Sequence, residues 1–315
     1  MPPALDHFAD RLSAAVERAG TPLCVGLDPR LDRLPDGLVA GHLEKHPGEP
    51  LRGAAEAIFE FCSRVLETVS GEVGVIKLQN AYFETVGPHG LDVFCRLIRR
   101  VRELGLIAIS DSKRGDIGTS SAAYATAHLG NVIVGGDEVE VIGADAVTVN
   151  PYFGIDGVEP FVREAVENGR GIFVLVKTSN PSGVEVQDLS SGSRKVYEEV
   201  AGHVWDWARD HLGRCGYSAV GAVVGATYPT QLAELRREMP GAIFLVPGFG
   251  AQGGRAEDVR QAFDEEGRGA IINSSRGIIF AYRQPRHRGL PPERFEEAVL
   301  AATRSAKEQI AAALS

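Results

Sequence analysis

The sequence predicts a (β/α)8 barrel, and three observations lead to that fold class. Short apolar runs rich in β-branched residues recur eight times along the 315 residues. The runs are continuously apolar rather than alternating, as expected of strands buried on both faces of a parallel sheet. Helical patterns separate most of them, and eight strand–helix repeats is the number that closes a barrel. A doubly wound open sheet is the alternative, although no Gly-x-Gly-x-x-Gly follows the first strand.

The elements follow in order along the chain. Apolar residues at helical spacing from Phe8 to Ala19 predict an N-terminal amphipathic helix. The eight predicted strands are residues 23–27, 73–78, 106–110, 146–149, 172–176, 219–224, 243–246 and 270–272. The predicted helices after them are residues 54–69, 91–104, 158–167, 196–211, 231–239, 256–266 and 293–312.

Two segments interrupt the alternation. Residues 29–50, after strand one, are rich in Pro, Gly and charge and predict a loop with a short helical turn. Residues 179–193, after strand five, predict a long polar loop, and such loops often bind ligands or act as lids. We therefore expect a single barrel domain over residues 1–315 with an N-terminal helix and two long loops.

Composition excludes several classes of protein. The chain is 44% hydrophobic and carries a net charge of −9. The negative charge disfavours nucleic acid as a partner but allows a local basic pocket. The four cysteines form no Cys-x-x-Cys pair, and the eight histidines lack metal-ligand spacing. No secretory pattern or membrane-length apolar run is present. These features predict a cytoplasmic protein without a membrane partner.

The densest group of charges follows strand three. Asp111 and Lys113 are two residues apart and point to the same side of an extended chain, and Asp116 follows at the start of a predicted helix. Charges at the end of a buried strand are costly to place, which favours a function for them. A surface ion-pair cluster is the alternative.

Other polar residues also follow the strands, where barrel enzymes carry their chemistry. Asp28 ends strand one and Lys77 lies at the end of strand two. The Gly-rich segment 247–254 and Arg276 follow strands seven and eight, where barrels commonly bind phosphate. Backbone N–H groups of the glycines, among them Gly253, could approach an anion closely. Lys177, after strand five, could form a Schiff base, but we favour a structural or salt-bridged role for it.

Together these motifs resemble the orotidine 5'-phosphate decarboxylase family, in its longer bacterial form. Asp111-Ser-Lys-Arg-Gly-Asp116 matches the family's Asp-x-Lys-x-x-Asp signature. The resemblance covers nearly the whole chain, with six further motifs in the right order, each at a strand end. The other motifs are Gly26-Leu-Asp, Val75-Ile-Lys-Leu-Gln, Thr178-Ser-Asn-Pro, Val224-Gly-Ala-Thr, Pro247-Gly-Phe-Gly-Ala-Gln and Ser275-Arg.

The resemblance implies a (β/α)8 barrel that converts orotidine 5'-monophosphate to UMP with no cofactor and no metal. Lys113 would protonate C6 of the pyrimidine, within an alternating array with Lys77, Asp111 and Asp116. Asp116 would act across the interface of a homodimer.

The resemblance also implies the substrate contacts. Asp28 and Lys77 would hold ribose hydroxyls, Ser179 would contact the pyrimidine edge, and Gln252, Gly253 and Arg276 would hold the 5'-phosphate. The family commonly has a threonine four residues after the second aspartate, contacting the partner's ligand. Here Ser120 stands at that position with Thr119 before it, so either hydroxyl could serve.

Two other functions stay open at the level of sequence. One is an Mg²⁺-dependent sugar-phosphate decarboxylase or aldolase of the same superfamily. Such relatives carry an acidic metal ligand at the end of strand two, where this chain has Lys77. The other is a catalytically silent sensor of phosphoribosyl ligands, which would not need the array of lysines and aspartates.

Overall fold

Eight parallel strands close into a barrel, which confirms the predicted fold class. The computed structural model describes residues 7–226, 229–248, 256–287, 290–291 and 294–315. Each barrel strand pairs with the next one along the chain, and the first pairs with the eighth. The eight strands, in order, are Leu23–Leu27, Val75–Gln79, Ile107–Arg114, Ala146–Val149, Gly171–Lys177, Val220–Val224, Phe244–Val246 and Ala270–Ser274.

Amphipathic helices surround the barrel and bury their apolar faces against it. The main helices are Phe8–Ala19, Pro50–Val69, Gly87–Glu103, Gly118–Leu129, Ile155–Glu167, Val196–Ala208, Pro229–Glu238 and Phe295–Leu314. Shorter helices are Leu38–Lys45, Asn80–Glu84, Val184–Gln187, Ala256–Val259 and Arg276–Ile279. None of the helices in the described ranges has the length and apolarity needed to cross a bilayer.

The helix predicted over residues 256–266 is shorter than expected. An α-helix over Ala256–Val259 gives way to a 3-10 turn over Arg260–Ala262. The side chain of Asp264 accepts hydrogen bonds from the Arg268 backbone N–H at 2.7 Å and from the Tyr217 hydroxyl. An aspartate that bonds the backbone this way favours a turn over a continued helix.

The N-terminal helix closes one end of the barrel. Phe8 and Leu12 are buried beneath the amino ends of the strands, and the Phe8 ring meets the edge of Phe173 at a centroid distance of 6.0 Å. A Cβ on Gly171 would lie 2.2 Å from the Phe8 ring, so the strand can carry only glycine there. The packed end leaves the carboxyl ends of the strands as the open face.

The segment after strand five is folded locally, whereas the sequence suggested an irregular loop. A 3-10 turn over Pro181–Gly183 leads into the helix Val184–Gln187 and a small hairpin that pairs Ser190–Ser191 with Arg194–Lys195. Gln187 fixes the segment to the strand end, because its side chain bonds the backbone N–H and the hydroxyl of Thr178 at 3.0 and 2.7 Å. The segment after strand one, where a loop with a short helical turn was predicted, contains a 3-10 turn over Leu31–Arg33 and a longer helix than predicted, Leu38–Lys45.

The salt-bridged role predicted for Lys177 is confirmed. Its Nζ bonds Asp188 Oδ2 at 2.5 Å and lies 4.8 Å from the centre of the Tyr197 ring. The side chain is 2% exposed. Lys177 therefore holds the folded segment against the barrel and does not line the cavity described below.

One hairpin was missed at the sequence level. Asn131–Val134 pairs antiparallel with Asp137–Glu140, through a turn formed by Gly135 and Gly136. Both glycines have positive φ, +64° and +97°, as a tight hairpin turn requires. The Gly-Gly pair between two valine-containing runs was the available signal.

Candidate active site

A buried carboxylate lies at the centre of the open face. Asp111 Oδ1 accepts hydrogen bonds from Lys113 Nζ at 2.5 Å and Thr148 Oγ1 at 3.0 Å. Its Oδ2 accepts from Lys77 Nζ at 2.6 Å and Gln79 Nε2 at 2.9 Å. The donors come from the second, third and fourth barrel strands, so closure of the sheet fixes the carboxylate in one orientation.

The electrostatics keep Asp111 and Lys77 ionised. Burial alone would raise the pKa of Asp111, but the ammonium groups of Lys77 and Lys113 hold it well below its usual range. Burial alone would lower the pKa of Lys77, but Asp111 and Asp28 raise it above its usual value. Asp111 and Lys77 are therefore both charged at neutral pH.

The backbone of Lys113 is strained. Its φ is +46°, and no other non-glycine residue in the described part of the chain has a positive φ. This conformation costs an L-residue about 1–2 kcal/mol. The pairing of strands three and four shifts register between Ser110 and Arg114, and the Lys113 N–H bonds Thr148 Oγ1 at 2.9 Å. Strain of this kind concentrates at functional sites, and here it orients a lysine that is 44% exposed.

A cavity of about 400 Å³ opens in front of the array. Asp28 and Asn273 line it, and each has a buried Oδ1 without a hydrogen-bond partner among the described residues. Buried acceptors usually find donors, so these two fit hydroxyl groups of a ligand. The remaining described lining residues include Leu175, Thr178, Ser179, Asn180, Val223, Leu245, Pro247, Gly248, Ser275 and Arg276.

Close backbone approaches shape the wall of this cavity. A Cβ on Gly26 would lie 1.9 Å from Ser275 Oγ, and a Cβ on Gly225 would lie 2.9–3.1 Å from Ser179. Glycine at both positions lets Ser179 and Ser275 pack against neighbouring strands at the rim.

The structure brings most of the residues predicted for the site together. Lys77, Asp111, Lys113, Asp28, Ser179 and Arg276 all line the cavity. Arg276 begins the short helix Arg276–Ile279 directly after strand eight. Gln252 and Gly253, predicted for the phosphate, lie outside the described residues.

Three predicted residues lie away from the cavity within the single chain. Asp116 bonds the N–H of Ile117 through Oδ1 at 2.8 Å, in the loop before the helix Gly118–Leu129. Thr119 and Ser120 are exposed in the first turn of that helix. The chain alone therefore supplies three members of the expected four-residue array.

Three residues that bond Asp111 or offer an unpartnered acceptor to the cavity were not predicted for the site. Thr148 and Gln79 bond Asp111, and Asn273 lines the cavity. Thr148 is a polar residue inside the apolar run of strand four, which was the only local signal for it. Gln79 and Asn273 were visible as polar residues at strand ends.

Comparisons with known proteins agree with this geometry. The model of the orotidine 5'-phosphate decarboxylase / HUMPS family matches residues 21–288. The orotidine 5'-phosphate decarboxylase of Rhodopirellula baltica is 46% identical over 304 residues, which cover 96% of this chain and 98% of the relative. That of Caldicellulosiruptor bescii is 38% identical, covering 98% of this chain and 99% of the relative.

A solved structure is also similar. The OMP decarboxylase of Leishmania donovani has a TM-score of 0.72 at 32% identity, over 98% of this chain and 99% of that one. The chain belongs to the orotidine 5'-phosphate decarboxylase family.

Proposed function

We propose that this chain catalyses the decarboxylation of orotidine 5'-monophosphate to UMP with its own side chains and no cofactor. Membership of the family and the names of its relatives support this reaction. The observation that carries the proposal is the Lys77–Asp111–Lys113 array beside the cavity, with Nζ–Oδ distances of 2.6 and 2.5 Å. The single-domain organisation, the cytoplasmic location and the lack of a nucleic-acid partner stay predictions.

Lys113 would perform the chemical step. The bond from C6 to the carboxylate breaks, CO₂ leaves, and the electron pair stays on C6. The Lys113 ammonium stabilises that charge as it forms and then transfers a proton to C6. The resulting neutral amine regains a proton from water, which its 44% exposed side chain allows.

Asp111 would lie beside the substrate carboxylate. Two like charges about 4 Å apart repel by about 4 kcal/mol at an intermediate dielectric. In this site two ammonium groups already offset the charge of Asp111, which weakens that repulsion. We therefore infer that the larger contribution comes from the fixed, preorganised position of Lys113, and that Asp111 chiefly holds it there.

The rest of the cavity would bind the nucleotide. The unpartnered Oδ1 atoms of Asp28 and Asn273 suit ribose hydroxyls, together with Lys77. Ser179 would contact the pyrimidine edge. Arg276, with Gln252 and Gly253, would hold the 5'-phosphate through charge-assisted hydrogen bonds.

We propose a homodimer in which Asp116 and Thr119 or Ser120 complete the partner's site. Exposed apolar side chains support an interface around the loop that carries Asp116. Ile117 is 56% exposed and Tyr152 is 82% exposed. Phe153 is 48% exposed and packs near this loop, because a Cβ on Gly157 would contact both Asp116 O and Phe153 Cβ. Apolar patches of this kind commonly mark protein interfaces.

The activity test follows the ultraviolet absorbance of orotidine 5'-monophosphate mixed with the protein in EDTA. We expect conversion to UMP by the wild type and by Lys45→Ala, an exposed lysine away from the cavity, and none by Lys113→Ala. No conversion by well-folded wild type would refute the proposal, and turnover of a sugar phosphate only after addition of Mg²⁺ would favour the metal-dependent alternative.

The phosphate role of Arg276 has its own control. Arg276→Ala should lower kcat/KM for orotidine 5'-monophosphate by about 100-fold, the value of a charge-assisted hydrogen bond. The nucleoside orotidine, which lacks the phosphate, should react equally slowly with wild type and variant. Equal losses on both substrates would contradict a phosphate contact.

Subunit complementation tests the dimer. Lys113→Ala and Asp116→Ala should each be inactive, but a heterodimer of the two contains one site with both native residues. Mixed and re-equilibrated variants should recover up to about one quarter of wild-type activity, because half of randomly paired dimers are mixed and each has one intact site. No recovery from demonstrably mixed dimers would place both residues in one subunit's site.

A further inference from the structure

A second cavity lies beside the proposed active site and is strongly basic. It encloses about 430 Å³ between the segment after strand one, the segment after strand eight and the C-terminal helix. Among its described lining residues are five arginines and no acidic side chain. The arginines are Arg30, Arg33, Arg276, Arg283 and Arg286.

Most of this positive charge is uncompensated. Arg30 pairs with Asp32, and Arg283 lies 3.3 Å from Asp36, and both of these carboxylates are well exposed, at 62% and 81%. The side chains of Arg33, Arg276 and Arg286 form no hydrogen bond or ion pair with another residue in the described ranges. In a chain of net charge −9, a concave cluster of this sign focuses a field that attracts anions.

The two chain segments that form the cavity are held together by hydrogen bonds, although the arginine side chains of the cavity reach solvent. Arg283 Nε bonds Arg33 O at 3.0 Å and its Nη2 bonds Leu34 O at 2.8 Å. The Tyr282 hydroxyl also bonds Arg33 O. These bonds dock the segment after strand one onto the segment after strand eight. They give residues 29–50, the Pro- and charge-rich segment after strand one, a structural role outside the proposed active site.

Arg276 lines both this cavity and the proposed active site. An anion in the basic cavity would therefore compete with the 5'-phosphate of the substrate for the same guanidinium group. Coupling between the two sites needs no change of fold, only a different position of one side chain.

We propose that this cavity binds a polyphosphate anion, either pyrophosphate or the phosphate chain of a nucleoside triphosphate, and that the bound anion weakens substrate binding through Arg276. Several guanidinium groups spaced around one cavity suit several linked phosphates better than a single one. The described lining includes Ser274, Ser305 and Gln309 as further polar partners. The one aromatic lining residue in the described part, Phe280, is 4% exposed, so the site would recognise the phosphates rather than a base.

The binding test uses calorimetry on the whole protein at fixed ionic strength and without UMP, because the 5'-phosphate of UMP would itself compete for Arg276. Pyrophosphate, ATP and inorganic phosphate are titrated separately. The key variant is Arg33→Ala/Arg286→Ala, and the matched control is Arg99→Ala/Arg209→Ala, which removes two exposed arginines elsewhere. We expect the key variant to weaken pyrophosphate and ATP binding by about tenfold or more, while the control binds like wild type.

The three ligands identify the source of the anion. ATP and pyrophosphate binding equally would assign the site to the phosphate chain itself, and tighter binding of one of them would name its preferred form. Inorganic phosphate as tight as pyrophosphate, or unchanged binding by the key variant, would overturn the proposal.

A kinetic test of the same proposal rests on the proposed function, because it measures the turnover of orotidine 5'-monophosphate. Pyrophosphate should raise KM for orotidine 5'-monophosphate without changing kcat in wild type and in the control, and should do so about tenfold less effectively in the key variant. Without pyrophosphate the key variant should turn over substrate like wild type, and a raised KM there would instead assign these arginines to the substrate phosphate. If wild type proves inactive, the proposed reaction fails while the calorimetric result still decides the anion site.

Discussion

The two ends of the barrel each contain an aspartate held between two cations, but only one end is built for chemistry. At the amino end, Asp145 bonds Arg11 at 2.7 Å and Arg170 at 3.2 Å, and its Oδ2 accepts the N–H of Ala108 at 2.9 Å. At the carboxyl end, Asp111 bonds Lys77 and Lys113. Cavity volume does not distinguish them, since each end borders a cavity of about 400 Å³.

Three differences do distinguish the two ends. The amino end uses arginines, which cannot give up a proton, whereas the carboxyl end uses lysines, which can. The carboxyl end also has buried acceptors without partners, on Asp28 and Asn273, and a lysine with φ of +46°. A charged cluster is therefore identified as catalytic by its titratable cation, its unpartnered hydrogen-bonding groups and its backbone strain. Burial and ion pairing alone do not identify it.

The largest expected effect is loss of activity at the carboxyl end. Lys113→Ala should lower kcat by at least about 10⁴-fold, since it removes both the proton donor and the charge that stabilises the carbanion. Arg170→Ala, the matched change at the amino end, should leave kcat within about twofold at a temperature where it stays folded. Steady-state kinetics with circular dichroism as a folding control would check both, and comparable losses of kcat would remove the distinction between the ends.

The second effect is on stability, and here the two ends should behave alike. Asp145→Asn leaves Arg11 and the largely buried Arg170 without their shared carboxylate, although Arg170 keeps Glu140 at 2.7 Å. Asp111→Asn leaves Lys77, which is 5% exposed, without its hydrogen-bonded carboxylate, although Lys113 is 44% exposed and can turn to water. Each change should lower the free energy of unfolding by about 3 kcal/mol, the lower end of the cost of breaking a buried ion pair. Urea unfolding of both variants measures the two losses, and a loss confined to Asp145→Asn would show that the catalytic array contributes nothing to the stability of the barrel.

The smallest effect concerns the helix behind the catalytic strand. His128 is 2% exposed with Nδ1 3.0 Å from Ser110 Oγ, and burial, aided by Arg114, lowers the pKa of His128 to about 3. The unfolded chain takes up this proton near pH 6.5 and the native chain does not, so stability falls below pH 6.5 by about 1.4 kcal/mol per pH unit.

Urea unfolding of wild type and His128→Gln at pH 7.5 and pH 5 tests that dependence. Wild type should lose about 2 kcal/mol more than the variant between the two pH values. Equal losses would show that His128 is not the titrating group.

Much of the site could be predicted because its residues stand at recognisable positions relative to the predicted strands. Lys77, Asp111 and Arg276 each stand at or just after the end of an apolar run, and parallel strands bring such ends together. Thr148 was not predicted, because a threonine within a strand is common and only the neighbouring strand shows that it faces Asp111. The Gly135-Gly136 hairpin was missed although its signal was local.

By itself, the sequence determined the eight strands, their order and the end of the barrel that carries the charges. These follow from local periodicity and strand direction, which nearby residues specify. Only the tertiary structure decided that four donors converge on Asp111, that Lys113 adopts a left-handed backbone, and that Arg33 and Arg286 lie beside Arg276. Those contacts join residues far apart in the chain, and barrel closure and the packing of distant loops bring them together.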